Sequence, residues 1–264
     1  MDNVEVPFTL AHAAAALPFR RSRLVPSALV IGTFAPDFEY LLRFSPHGRF
    51  GHTLVGSFIL TLPLALLVLW IFHAFVKQPT VMLLPEGIQR RLQDHLDGFR
   101  FGGAANFVLI IASILLGIAT HLLWDSFTHS TTWPYRHWSV LRQQFALPII
   151  GPIPLYKILQ HGSTIAGIGI LSAWLVHWYY TAPSSAQLKE SLSSRRKAAV
   201  IAVVTTVALV GAMARAIAGM GVPTGHSTLN KFLAQATVTA MALAWWQLVA
   251  YGLAAKPTVR DRQL

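Results

Sequence analysis

Apolar residues run along this chain in long stretches broken by short polar or basic connections. A helix that crosses a bilayer needs about 20 mostly apolar residues. Five stretches meet that length, at about 54–76, 104–124, 163–180, 198–220 and 232–254. The first is nearly uncharged. The third closes on Trp178-Tyr179-Tyr180, aromatic side chains of the kind that settle at a membrane interface. The fourth holds one interior charge, Arg215, and the fifth carries Trp245-Trp246. The pattern predicts an all-α, polytopic membrane protein with about five transmembrane helices plus short interfacial ones.

Two earlier apolar stretches are too short to cross. Phe8 to Phe19 has proline at both edges, and Leu24 to Phe34 runs into Pro36 and Asp37. Both read as short helices that dip into the interface or pack on the bundle. Between the first two spans, Pro85-Glu86 reads as a helix start, and Ile88, Leu92, Leu96 and Phe99 form an apolar stripe on an amphipathic surface helix. The connection from Asp125 to Gly162 is long and rich in Trp, Pro and His, which favours a functional loop over a spacer. A Pro/Ser linker at 182–197 separates a membrane domain, 1–181, from an Ala/Val-rich two-helix hairpin and short tail, 198–264.

Composition sharpens this picture. Of 264 residues, 54% are apolar and only 12% charged, where a soluble domain carries about 25% charge. Mean hydropathy is +0.51. An ordinary soluble globule and a disordered chain are both excluded. The net charge of +11 fits loops held against anionic headgroups, with the lipid bilayer as partner. No basic cluster is interleaved with aromatics as a nucleic-acid groove would require. The chain has no Cys, so any metal must be held by His and carboxylates. The start, Met1-Asp2-Asn3-Val4-Glu5, is acidic where a cleaved signal would be basic, and the first span is expected to act as the insertion signal. Arg195-Arg196-Lys197 abuts the fourth span, which favours a cytoplasmic C-terminus.

The strongest chemical signal is His121-Leu-Leu-Trp-Asp125-Ser-Phe-Thr-His129. Its spacing of i, i+4 and i+8 places imidazole, carboxylate and imidazole on one helical face where the second span ends. Such a face can hold zinc or a harder divalent ion; it can equally be a polar helix end. Other ligand types recur near apolar helices: His12, Asp37 and Glu39 after Pro36, and His52 in Gly51-His52-Thr53. With five spans, everything before Leu54 and everything after Trp124 up to the third span lies on one side of the membrane. His12, Asp37, His52, His121, Asp125, His129 and His161 therefore share a membrane face. His73 and His177 fall at the opposite ends of their spans, and His47, His95, His137 and His226 are expected in loops or on the surface.

At these motifs the chain resembles a bacterial membrane-protein family, domain of unknown function 4184. The likeness is carried by the segment around Thr9-Leu10-Ala11-His12, by Phe34-Ala35-Pro36-Asp37-Phe38-Glu39-Tyr40, by Gly51-His52-Thr53-Leu54, by Thr120-His121 through His129, and by Leu159-Gln160-His161-Gly162-Ser163. It covers about residues 5–180. More distantly the chain is similar to predicted membrane-bound metal-dependent hydrolases, and through them to the all-helical zinc-dependent phospholipase C and P1 nuclease fold. That resemblance implies a divalent metal, most simply zinc, held by His12, Asp37, His52, His121 and Asp125. Asp37 would bridge or act as catalytic base, and Glu39, His129 and His161 would orient the ligands. The activity implied is hydrolysis of a phosphoester in a lipid or lipid-linked substrate at the bacterial inner (plasma) membrane. The alternatives are a non-enzymatic membrane protein with a structural metal or interaction site and, third, a transporter or proton relay.

Overall fold

A computed structural model describes residues 9–46, 48, 50–96, 99–148, 151–185, 188 and 191–260. Among them, five helices are long and apolar enough to cross a membrane. They are α3 (Leu54–Leu83), α5 (Ala104–Thr128), α7 (Leu155–Thr181), α8 (Ser194–Met220) and α9 (His226–Arg260). The protein is a polytopic helical membrane protein. Its outer faces carry Ile165, Val176, Val203 and Val210, each more than half exposed, as suits side chains that meet lipid.

The helices outrun the apolar stretches at one or both ends. α7 begins eight residues before 163 because Lys157, Gln160 and His161 extend the helix into the interface without breaking it. α3 continues past residue 76 and contains two π-type segments, Ser57–Thr61 and Phe72–Val76. Each segment shortly precedes a proline, Pro63 or Pro79. A proline inside a helix removes one donor and displaces the carbonyl four residues back, and a wider turn accommodates the disturbance.

The short N-terminal elements do not cross. Thr9–Phe19 is a 3-10 helix, followed by α1 (Pro26–Phe34) and, after one 3-10 turn over Ala35–Asp37, α2 (Phe38–Arg43). α1 lies against α5 with almost no space between the backbones. A Cβ on Gly32 would stand 2.4 Å from the Ile114 carbonyl oxygen, and one on Gly117 would stand 2.4 Å from that of Leu29. Ala28, Ile31, Ala35, Ile110, Ile114, Ile118, Ala65 and Leu69 fill the core around this crossing.

The connection after α3 carries α4 (Glu86–Leu92) and a 3-10 turn, Gln93–His95. The long loop after α5 holds α6 (Trp133–His137) and an antiparallel hairpin of β1 (Gln144–Leu147) and β2 (Gly151–Pro154), with Gln144 opposite Pro154. Residue 97 of the predicted amphipathic helix and part of the 182–197 linker lie outside the described residues, as do His47 and the side chain of His226.

The C-terminal hairpin α8–α9 docks on α2 and α3. α2 ends at Phe44 in the left-handed region, φ 52°, an unfavourable conformation for a bulky residue. Three side chains donate to the Phe44 carbonyl: Gln235 Nε2 at 2.5 Å, Thr239 Oγ1 at 3.1 Å and Arg215 Nε at 3.2 Å. Arg215 thus caps the end of α2, a role its sequence setting does not reveal. Gln235→Leu combined with Thr239→Val should cost about 1–3 kcal/mol in thermal unfolding, two hydrogen bonds at roughly 0.5–1.5 kcal/mol each. Unchanged stability would show that the hairpin does not brace α2.

Candidate metal centre

Each candidate ligand is set by a local device. The Ala35-Pro36-Asp37 turn buries Asp37 between α1 and α2. Thr53 caps α3, its hydroxyl accepting from the Gly56 N–H at 2.9 Å, which places His52 directly before the span. Glu39 is buried; it takes Arg43 at 2.9 Å and the Gly51 N–H at 3.4 Å, so it ties α2 to the turn that carries His52. The α1–α5 crossing brings the Thr33 carbonyl to 2.8 Å from His121 Nδ1. A carbonyl only accepts, so Nδ1 carries the proton and Nε2 points into the cluster, where the neutral ring would offer its lone pair.

Five side chains converge there. His121 Nε2 is 3.1 Å from Asp125 Oδ2 and 3.8 Å from Asp37 Oδ1. His52 Nε2 is 3.3 Å from Asp37 Oδ1 and 3.8 Å from Asp125 Oδ2. His12 Nε2 is 3.4 Å from Asp125 Oδ1, and its ring stacks on His121 at 4.2 Å. Two overlapping triads, His12–His121–Asp125 and Asp37–His52–His121, each hold their ligand atoms within 4.8 Å of one another. His121 is fully buried, and its Nε2, like Asp125 Oδ1, makes no hydrogen bond.

These separations test whether the residues fit a metal. A tetrahedral ion with bonds of about 2.0–2.1 Å spaces its ligand atoms about 3.3–3.4 Å apart. The N···O distances scatter around that value instead of clustering at the roughly 2.7–2.9 Å of charge-assisted hydrogen bonds. Buried nitrogen and oxygen atoms that face a common point without hydrogen-bonding are what a cation site requires, and the all-N/O donor set suits zinc or a harder divalent ion.

Burial and neighbouring charges set the groups around the cluster. Burial, reinforced by the neighbouring His121, lowers the His12 pKa to about 4, so this imidazole is neutral and able to ligate at pH 7. Burial alone would push Asp37 up, but the imidazoles of His121 and His52 outweigh it and hold the carboxyl below its usual range. Tyr40, whose ring lies 6.0 Å from His52, is pushed up by burial and by Asp37, Asp125 and Glu39, and stays a neutral phenol. Tyr40 was given no role from the sequence; its signals were its place one turn after Asp37 and in the Phe34–Tyr40 motif.

α5 ends at Thr128, so His129 is not on the helical face that its spacing predicts. It turns back in extended backbone, with Nδ1 3.3 Å from the Asp125 carbonyl and 3.7 Å from Asp125 Oδ1. His161 is exposed on α7 and stands apart from the cluster, while its neighbour Gln160 is buried. His73 stacks on Phe99 and meets Ser27 at the other end of the bundle. His95, His137 and His177 are exposed.

Asp125 lies about 31 Å along α5 from Ala104, about the thickness of a bilayer core, so the cluster is toward one end of this helix. Beside it opens a cavity of about 250 Å³ between the N-terminal 3-10 helix, α5 and α7, with His12, Asp125 and His129 in its wall.

A family model described as Domain of unknown function (DUF4184) matches residues 6–253. The chain belongs to this family. The match extends past residue 180 through α8 and into α9, which no motif tied to the DUF4184 family residue by residue. No curated protein and no solved structure matches the chain.

Proposed function

We propose that this DUF4184 protein is a membrane-embedded, metal-dependent hydrolase of a phosphoester in a lipid or lipid-linked substrate, working at the bacterial inner (plasma) membrane. The observation that carries the reading is the convergence of three imidazoles and two carboxylates on one buried point, with the His121 tautomer set by the Thr33 carbonyl.

His12, His52, His121 and Asp125 would hold the ion, and Asp37 would share it or accept a proton. A divalent ion there, most simply zinc, would supply a Lewis acid for a phosphoryl oxygen and a strong nucleophile from water near neutral pH. Asp37 lies beside His52 and His121, where its carboxylate would accept the proton that water gives up. The new P–O bond forms as the ester P–O bond breaks, and the leaving oxygen takes up a proton from solvent. The Thr33 carbonyl holds His121 as its outer partner, and Glu39 braces the turn before His52 through the Gly51 N–H.

The cavity favours catalysis over a purely structural metal. Structural zinc sites are closed by protein ligands, while catalytic ones keep an accessible position, and this cluster borders open space. Its place at a span end, not mid-bilayer, counts against a transport site.

Detergent-purified protein loaded with zinc should hydrolyse bis(p-nitrophenyl) phosphate, lose that activity to a chelator and regain it with zinc. Asp37→Asn should lower the rate about 10²–10⁴-fold, more than it lowers metal occupancy. Activity that is absent, or indifferent to chelation, would overturn the reading.

A further inference from the structure

Gln160 is 8% exposed, lines the cavity, and its Nε2 makes no hydrogen bond. A buried amide donor without an acceptor is costly, and it marks a place where a ligand oxygen belongs. The backbone carbonyl of the same residue already accepts from Ser163 and Thr164 at 3.0 and 2.8 Å, so the local polar groups are spoken for. The side chain alone is left facing the cavity.

The rest of the wall has a different character. Gln160 lies in the second turn of α7 and Ile170 about 15 Å further along the helix, toward the bilayer interior. Over that length Ala14, Ala15, Ala166, Gly167 and Ile170 line the cavity together with Ser163, Thr164 and Thr120, whose hydroxyls donate to carbonyls of their own helices. The ionisable groups in the wall are His12, Asp125 and His129. Ala166 and Ile165 are exposed on the lipid-facing side, so a molecule diffusing in the bilayer can enter sideways. The volume of about 250 Å³ is smaller than the roughly 300–1,000 Å³ of pockets that enclose a whole drug-sized ligand. It admits one slim chain and leaves the remainder of the molecule in the membrane.

We propose that this cavity binds one hydrocarbon chain of a phosphoester amphiphile between the N-terminal 3-10 helix and α7, with Gln160 Nε2 donating to a headgroup oxygen. The phosphate then lies beside His12 and Asp125. The inference rests on the hydrolase reading for the phosphate, and it adds the occupant of the groove and the residue that recognises the headgroup. Gln160 acts here as a binding residue and takes no part in bond breaking.

The test is photocrosslinking of the full-length protein, zinc-loaded in detergent, with dodecyl phosphate that carries a terminal diazirine. Metal content is measured on the same samples. Crosslinks should map to residues 11–15 and 166–170, and unlabelled dodecyl phosphate should displace the probe better than dodecanol. Gln160→Leu should weaken capture about tenfold, the worth of one hydrogen bond to an ionised group, and erase the preference over dodecanol. Ala166→Phe should reduce capture to background at unchanged metal content. Ala15→Leu blocks the facing wall and repeats the check if the first variant folds poorly. Crosslinks spread over the outer faces of α7 and α8, or capture indifferent to all three substitutions with metal retained, would overturn the groove and leave the metal reading intact. Specific capture by a protein that binds no metal would do the reverse.

Discussion

His121→Ala and Asp125→Ala protein, purified in detergent, should lose its divalent ion, with zinc affinity down by more than about 100-fold. Removal of an outer partner costs 10- to 100-fold in metal affinity, and under the proposed metal site these two residues would be ligands in their own right. His121 belongs to both triads, and Asp125 touches His12, His52 and His121 within 3.8 Å. His95→Ala and His161→Ala, both at exposed positions, should keep wild-type metal content. Thermal unfolding provides a second readout. Zinc at 100 times its Kd should stabilise the wild type by about 2.7 kcal/mol and should not stabilise His121→Ala. Equal metal loss in all four variants would mean that unfolding is being read instead of ligation. A metal-free wild type that does not take up added zinc would end the metal reading.

Gly117→Val should destabilise the protein by about 3 kcal/mol or more and remove the metal with it. The added Cβ would stand 2.4 Å from the Leu29 carbonyl oxygen and 2.7 Å from Gly32 Cα. Both neighbours are backbone, so α1 must move away from α5. Overpacking against yielding side chains costs about 1–3 kcal/mol; here no side chain is available to yield. The movement would also pull the Thr33 carbonyl from His121 Nδ1 and shift Asp37, which follows α1 by three residues. Gly169→Val is the control, since a Cβ there meets nothing within 4 Å. Wild-type stability and zinc uptake in Gly117→Val would show that the α1–α5 crossing does not set the site.

The two experiments address different levels of the same arrangement. The first removes donor atoms and leaves the frame; the second disturbs the frame and leaves every donor in the chain. Agreement between them would tie the metal to the close backbone crossing and not to the ligand residues alone.

Span positions were legible in the sequence because crossing a bilayer is a one-dimensional requirement. Apolar length alone marks α3, α5, α7, α8 and α9. Parity of crossings then places His12, Asp37, His52, His121 and Asp125 on one membrane face, which is as far as order along the chain can reach. The structure narrows that shared face to one point, through a 3-10 turn at Asp37, a Thr53 cap beside His52 and the Gly32–Gly117 crossing above His121. None of these can be read from spacing, because each depends on where a second element approaches.

Facing direction was decided in the same way. Gln160 and His161 are adjacent in sequence and about 100° apart around α7. The histidine attracts attention by its chemistry, yet the packing of α7 on the 3-10 helix and α5 turns the glutamine inward and leaves the histidine exposed. His129 lost its predicted helical place because α5 stops one residue before it. Arg215 stands as a lone charge in an apolar span until α8 meets the left-handed end of α2 and the Phe44 carbonyl becomes its partner. Hydropathy and residue order determined the class of the protein and grouped its candidate His and Asp residues on one shared membrane face. Tertiary packing alone decided which polar groups meet, because a hydrogen bond or a metal ligand set is a relation of distance and direction that sequence separation does not encode.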